Sequence, residues 1–185
     1  MIRYFLSSAA LALTVTAATA DEVTDALNSA LQAYGDGDIK YALEELDYAK
    51  QLLTAMKTDE LARFLPEAPQ GFLREFNGEM GGGLAMMGGG TGAEAKYSNG
   101  NGDSFTITLL ADNPMVGAMA GMLGNASAIG AKIERVGRQK FMVQDREITG
   151  LIDNRILVQA KGDDIAVMLE ALKSMDFREL GNFGR

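Results

Sequence analysis

The sequence predicts an α+β protein: an N-terminal antiparallel helical hairpin followed by an antiparallel β-sheet domain with helices packed on one face. Three observations carry this prediction. Apolar residues recur at helical spacing in two blocks between Glu22 and Met56, interrupted by Gly35-Asp36-Gly37. Phe105, Ile107 and Leu109 alternate with Thr106 and Thr108, the period of a strand with one buried face. Beyond Ala131, short apolar segments are separated only by Gly137-Arg138, Asp145-Arg146 and Asp153-Asn154, connections too short for anything but antiparallel hairpins.

Residues 1–20 read as a cleavable signal peptide. Arg3 precedes an apolar stretch from Tyr4 to Val15 that is too short to span a bilayer comfortably, and small residues then end in Ala18-Thr19-Ala20. Cleavage after Ala20 and a periplasmic location are the expectation, with no transmembrane segment in the mature protein. Loss of Arg3 takes the formal net charge from -8 to -9, a surface that disfavours nucleic acid. The chain has no cysteine, so neither a disulfide framework nor a lipid-bearing cysteine is available and a packed core must supply the stability.

The first helix is expected from Glu22 to Tyr34, with Val23, Ala26, Leu27, Ala30, Leu31 and Tyr34 on its apolar side. Asp38 is placed to cap a second helix, whose stripe is Ile39, Ala42, Leu43, Leu46, Ala49, Leu53 and Met56. The pair, with its A-x-x-A-Y-x-x-G-D spacing, looks like a single tetratricopeptide unit, but no second copy follows, so a hairpin docked on the next domain is the preferred reading. Leu65-Pro66-Glu67-Ala68-Pro69 ends the helical region, which sets the expected domains at 21–64 and 65–185.

Gly71 to Asn77 reads as a strand, and Gly78 to Gly92 as a mobile loop, since ten of the 22 glycines fall between Gly78 and Gly102. Strands are expected at Glu94 to Tyr97 and Ser104 to Leu110, joined by a turn at Asn99-Gly100-Asn101-Gly102. Asp112 to Leu123 returns to helical spacing, with Asp112 or Asn113 as cap and Pro114 in the first turn. The strands Ala131–Val136, Gln139–Gln144, Glu147–Ile152 and Arg155–Lys161 follow, and Asp163 or Asp164 caps a last helix through Leu172.

Several segments carry a resemblance: Ala42-Leu43-Glu44-Glu45-Leu46-Asp47-Tyr48-Ala49, Leu65-Pro66-Glu67-Ala68-Pro69-Gln70-Gly71-Phe72, Ala111-Asp112-Asn113-Pro114-Met115, Ile133-Glu134-Arg135 and Asn154-Arg155. In these the chain resembles a family of exported proteobacterial proteins in which a helical hairpin and an LPxxPxG[WF] boundary precede a domain similar to the PsbP-like fold. The resemblance implies a buried aromatic anchor at Phe72, where relatives carry tryptophan. It implies an accessory role by analogy of fold and no particular reaction.

The absence of histidine and cysteine excludes the usual zinc sites, Ser-His-Asp hydrolysis and cysteine nucleophiles. No Ser-x-x-Lys occurs with its supporting motifs, and Asp163-Asp164 reads as a helix cap, so a small carboxylate-dependent hydrolase ranks last. Asn99-x-Asn101-x-Asp103 matches the start of a calcium loop, but its twelfth position is Leu110 in a strand, which leaves a hairpin turn. Methionine is used unusually: Met80, Met86 and Met87 lie in the glycine tract, and Met115, Met119 and Met122 share one helix face. Thioethers suit Cu(I), which makes these six residues candidate copper ligands; the favoured reading instead buries Met115, Met119 and Met122 against the sheet. The expected function is a non-enzymatic periplasmic accessory or binding protein that contacts a protein partner in the cell envelope or an apolar ligand, with a methionine-based copper protein as the alternative.

Overall fold

A computed structural model describes residues 15–77, 84, 89–126 and 130–185, with side chains from Asp21 onward. The chain divides into two compact units, residues 1–53 and 54–185. The division falls inside the second helix, earlier than the boundary expected at Leu65, because Leu61 and Leu65 belong to the core of the second unit.

In the first unit α1 spans Val15–Gly35, beginning well before the predicted start at Glu22, and α2 begins at Ile39 and runs on to Ala62. The reversal between them has a definite chemistry. Gly37 sits at φ 81°, its N–H donates to the Tyr34 carbonyl at 3.2 Å, and the Asp38 N–H donates to the Ala33 carbonyl at 2.9 Å. That pair of bonds is a Schellman closure, which needs a residue tolerant of positive φ at the position Gly37 occupies. Asp38 then caps α2 as predicted: its Oδ1 accepts from the Tyr41 N–H at 3.1 Å.

The second unit is built on a seven-stranded antiparallel sheet ordered β1-β2-β3-β7-β6-β5-β4. Its strands are β1 Phe72–Phe76, β2 Thr91–Asn99, β3 Ser104–Ala111, β4 Lys132–Val136, β5 Gln139–Gln144, β6 Glu147–Ile152 and β7 Ile156–Gly162. The last four form the predicted meander, and β7 returns to pair with β3, Leu109 opposite Val158. Helices that accompany the sheet among the described residues include α3 Pro114–Gly124, α4 Ile165–Lys173 and a short α5 Phe177–Asn182 that the sequence reading did not contain. The predicted caps are realised by Asn113 and Asp164, and Asp176 caps α5 in the same way.

Alternation assigns the two faces of the sheet. On one lie Ala95, Tyr97, Phe105, Ile107, Leu109, Ile148, Val158 and Phe141, covered by Leu61 and Leu65, by Met168 and Leu172 of α4 and by Leu180 of α5. On the other, Leu110 and Leu157 form a smaller cluster with Leu84 and Val116 of α3. Helices thus cover one face as expected, and α3 covers part of the second as well. Of the glycine tract read as a mobile loop, residues 78–83 and 85–88 lie outside the described residues, while Leu84 and Thr91 are buried.

The segment after α2 is tied to the sheet by its carbonyls. Arg74 donates to the Leu65 and Pro66 carbonyls at 3.1 and 2.8 Å and pairs with Glu67 at 3.0 Å. Tyr97 stacks on Phe105 with ring centroids 4.6 Å apart, and its hydroxyl donates to the Pro66 carbonyl at 2.7 Å. Burial pushes the Tyr97 phenol up to about 12, against the opposing effect of Arg74. Phe72 is half-buried and leans on Phe105 at 5.4 Å, an anchor partly open to solvent.

Candidate binding surfaces

The helical hairpin departs from the sequence expectation where it matters most. Ala26, Ala30 and Ala33 of α1 and Ala42 and Ala49 of α2 are buried, with Val23. The large residues beside them are not: Leu31 is 71% exposed, Tyr34 67% and Leu43 58%. The stripe predicted to be buried is thus two stripes. Small side chains let helical backbones approach closely, and a close approach through alanine leaves the neighbouring leucines at the margin of the contact. Those leucines form the walls of a groove of about 610 Å³ at the closed end of the hairpin, Leu27, Leu31 and Tyr34 on one side and Ile39, Leu43 and Leu46 on the other, floored by Ala30 and Ala42.

Around the groove the charge is one-sided. From Asp21 to Leu53 there are eight carboxylates and two lysines, and Lys40 is the only cation before Lys50. Lys40 is already paired with Glu44 at 3.7 Å. On the same helix the Tyr41 phenol is held above its ordinary value by its hydrogen bond to Glu45 and then by the negative charge of Glu45.

The sheet face opposite the main core is the second surface, with Thr149 and Met142 buried within it. Its middle row reads Glu94, Thr108, Gln159, Thr149 and Met142 across five paired strands. Glu94 accepts from Thr108 at 2.8 Å and from Asn77 at 2.9 Å. Glu147 accepts from Thr149 and Gln159, both at 2.8 Å. These carboxylates are held by neutral donors, an arrangement that stiffens the surface. Among the described residues no group of three or more acidic side chains is arranged to hold a metal ion.

The methionines separate. Met80, Met86 and Met87 lie outside the described residues. Met115 and Met122 are 41% and 48% exposed, so the core reading fails for both; α3 turns Val116 inward instead, and Met119 packs partly against Leu110 and Leu157. Met119 and Met122 line a depression of about 340 Å³ together with Glu147 and a third methionine that the sequence did not single out, the buried Met142 of β5. No sequence spacing links positions 119 and 142. Only the packing of α3 against β6 and β7 does.

A charged node joins segments the sequence reading had singled out separately. Asp112, at φ 54°, pairs with Lys57 at 3.3 Å and with Arg155 at 3.5 Å, and Lys57 lies 5.8 Å from the Phe183 ring centre. All three side chains are well solvated, so each pair contributes at most about 1 kcal/mol. The Asn99 side chain accepts from the N–H groups of Asn101 and Asp103 at 3.0 Å, the hairpin turn expected in place of a calcium loop.

These surfaces define an α+β protein with an apolar helical groove and a polar sheet face. No protein-family model, curated protein or solved structure matches the chain.

Proposed function

We propose that the chain is a non-enzymatic accessory protein of the periplasm, exported by cleavage after Ala20, which acts by presenting the apolar surface of its helical hairpin to a protein partner. One observation carries this reading: the hairpin buries alanines and leaves Leu27, Leu31, Tyr34, Ile39, Leu43 and Leu46 around one groove. Contiguous apolar surface of this kind is retained by a soluble chain where something covers it. Among the described residues no helix is long and apolar enough to cross a membrane.

The test is site-specific photocrosslinking in living cells. A crosslinker at position 31 or 43 should capture a defined protein in the envelope fraction, and the same crosslinker at the exposed position 25, away from the groove, should not. The crosslinked form of the chain itself should begin at Asp21. Equal labelling at all three positions, or a crosslinked chain still carrying residues 1–20, would count against the reading.

A second reading is favoured by Met119, Met122 and Met142 lining one depression: a soft-metal site that takes Cu(I) through thioether sulfur. Under reducing conditions, with a competing chelator, one equivalent should bind and Met142→Leu should weaken it at least tenfold. Binding unchanged in Met142→Leu, or no binding at all, removes this reading.

A further inference from the structure

We infer that the occupant of the hairpin groove is an amphipathic α-helix of a partner protein that carries lysine or arginine beside its apolar stripe. This rests on the functional reading above and names the partner's chemistry. The walls of the groove are helices, whose backbone N–H and C=O groups are already bonded along their own axes, so the groove offers nothing to an extended strand. A segment laid in it must satisfy its own backbone, and a helix does so. The walls run from Leu27 to Tyr34 and from Ile39 to Leu46, each roughly 10 Å at 1.5 Å per residue. Two turns of a helix bearing apolar residues at i, i+3, i+4 and i+7 match that length.

Charge selects among helices. Asp36 and Asp38 lie in the reversal between α1 and α2, Asp47 follows Leu43 by one helical turn, and Lys40 is paired with Glu44. A second copy of this chain would bring the same carboxylates against their like, which is repulsive. An anionic lipid surface meets the same repulsion. A small apolar molecule would remain largely exposed, because the groove is open along its length, whereas small-molecule sites enclose most of their ligand.

The experiment uses the full mature chain and three labelled 18-residue peptides followed by fluorescence anisotropy. One has a leucine stripe with lysine flanks, one the same stripe with glutamate flanks, and one the lysine composition with the stripe shuffled. The lysine-flanked peptide should bind at least tenfold tighter than either of the others, and the gap to the glutamate peptide should narrow as salt is added. The double substitution Leu31→Asp, Leu43→Asp should lower that affinity at least tenfold with thermal unfolding unchanged. Two added carboxylates would strengthen a merely electrostatic association, so the loss reports apolar contact. Glu44→Lys with Asp47→Lys should reverse the preference between the lysine and glutamate peptides.

Equal affinity for the lysine and glutamate peptides, no saturable binding up to about 1 mM, or binding retained in the Leu31→Asp, Leu43→Asp variant would each overturn the inference. So would dimerisation in sedimentation equilibrium that the same double substitution abolishes. A protein crosslinked at positions 31 and 43 without a lysine preference removes this inference and leaves the functional reading intact; absence of the crosslink removes that reading.

Discussion

Phe141→Ala is expected to lower the unfolding free energy by about 3–5 kcal/mol, the largest single loss available in the sheet domain. The side chain is fully buried at the centre of β5, and its ring packs against Phe177 of α5 with centroids 5.5 Å apart. Its partner across the β5–β6 ladder is Gly150. A Cβ built on Gly150 would stand 2.5 Å from two ring carbons of Phe141, so glycine is required there by the ring and not by its own backbone angles. Gly150→Ala alone should therefore destabilise by about 1–3 kcal/mol through overpacking. The double variant Phe141→Leu, Gly150→Ala should recover part of the loss, with a coupling of about 0.5–3 kcal/mol. Urea unfolding of the four species measures this. Strictly additive losses would mean that the ring moves aside at no cost and that the contact is incidental.

The β-sheet was readable because its signals are local. Alternation in β3 and the short breaks at Gly137-Arg138 and Asp145-Arg146 place β3, β5 and β6 within a residue of their observed ends, and Asp145, Asp153 and Asn154 adopt the positive φ that such turns require. The short helix α5 escaped because its six residues give periodicity too little length to register; the signal that could have found it was Asp176, whose side chain accepts from the N–H groups of Arg178 and Glu179.

The hairpin shows a different kind of failure. In Ala26-Leu27, Ala30-Leu31 and Ala42-Leu43 an alanine and a leucine lie side by side on the helix, and a stripe drawn by hydrophobicity includes both. The general preference puts leucine inside. Yet the buried set Ala26, Ala30, Ala33 is itself spaced at i, i+4 and i+7, as is the exposed set Leu27, Leu31, Tyr34. That repetition of small residues was the available clue that the helices meet through alanine. A hairpin that buried its leucines would have left no apolar groove. The third failure is the methionine face. Met115 and Met122 look like core by spacing, but α3 turns Val116 inward and packs Met119 only partly against the second cluster, which leaves the other two exposed.

Asn113→Ala is the second substitution with a large expected effect, about 2–3 kcal/mol, because one side chain holds two segments at once. Asn113 is buried; its Oδ1 accepts from the Met115 N–H at 2.8 Å and caps α3, while its Nδ2 donates to the Gly89 carbonyl. The Gly89 N–H in turn donates to the Leu84 carbonyl at 2.8 Å, and Leu84 is buried with Leu110, Val116 and Leu157. At Gly90, φ is 104° and an added Cβ would lie 2.8 Å from the Ala111 carbonyl oxygen, so the chain passes against β3 as closely as a backbone can. Alanine at 113 removes both the cap and the tether. Aspartate separates them: it keeps the acceptor that caps α3, loses the donor and sets a carboxylate beside the Gly89 carbonyl. In hydrogen exchange Asn113→Ala should deprotect the first turn of α3 and Gly89 together, whereas Asn113→Asp should deprotect Gly89 with the α3 amides held. Wild-type stability in Asn113→Ala, within about 0.5 kcal/mol, would show that neither bond holds this corner of the sheet.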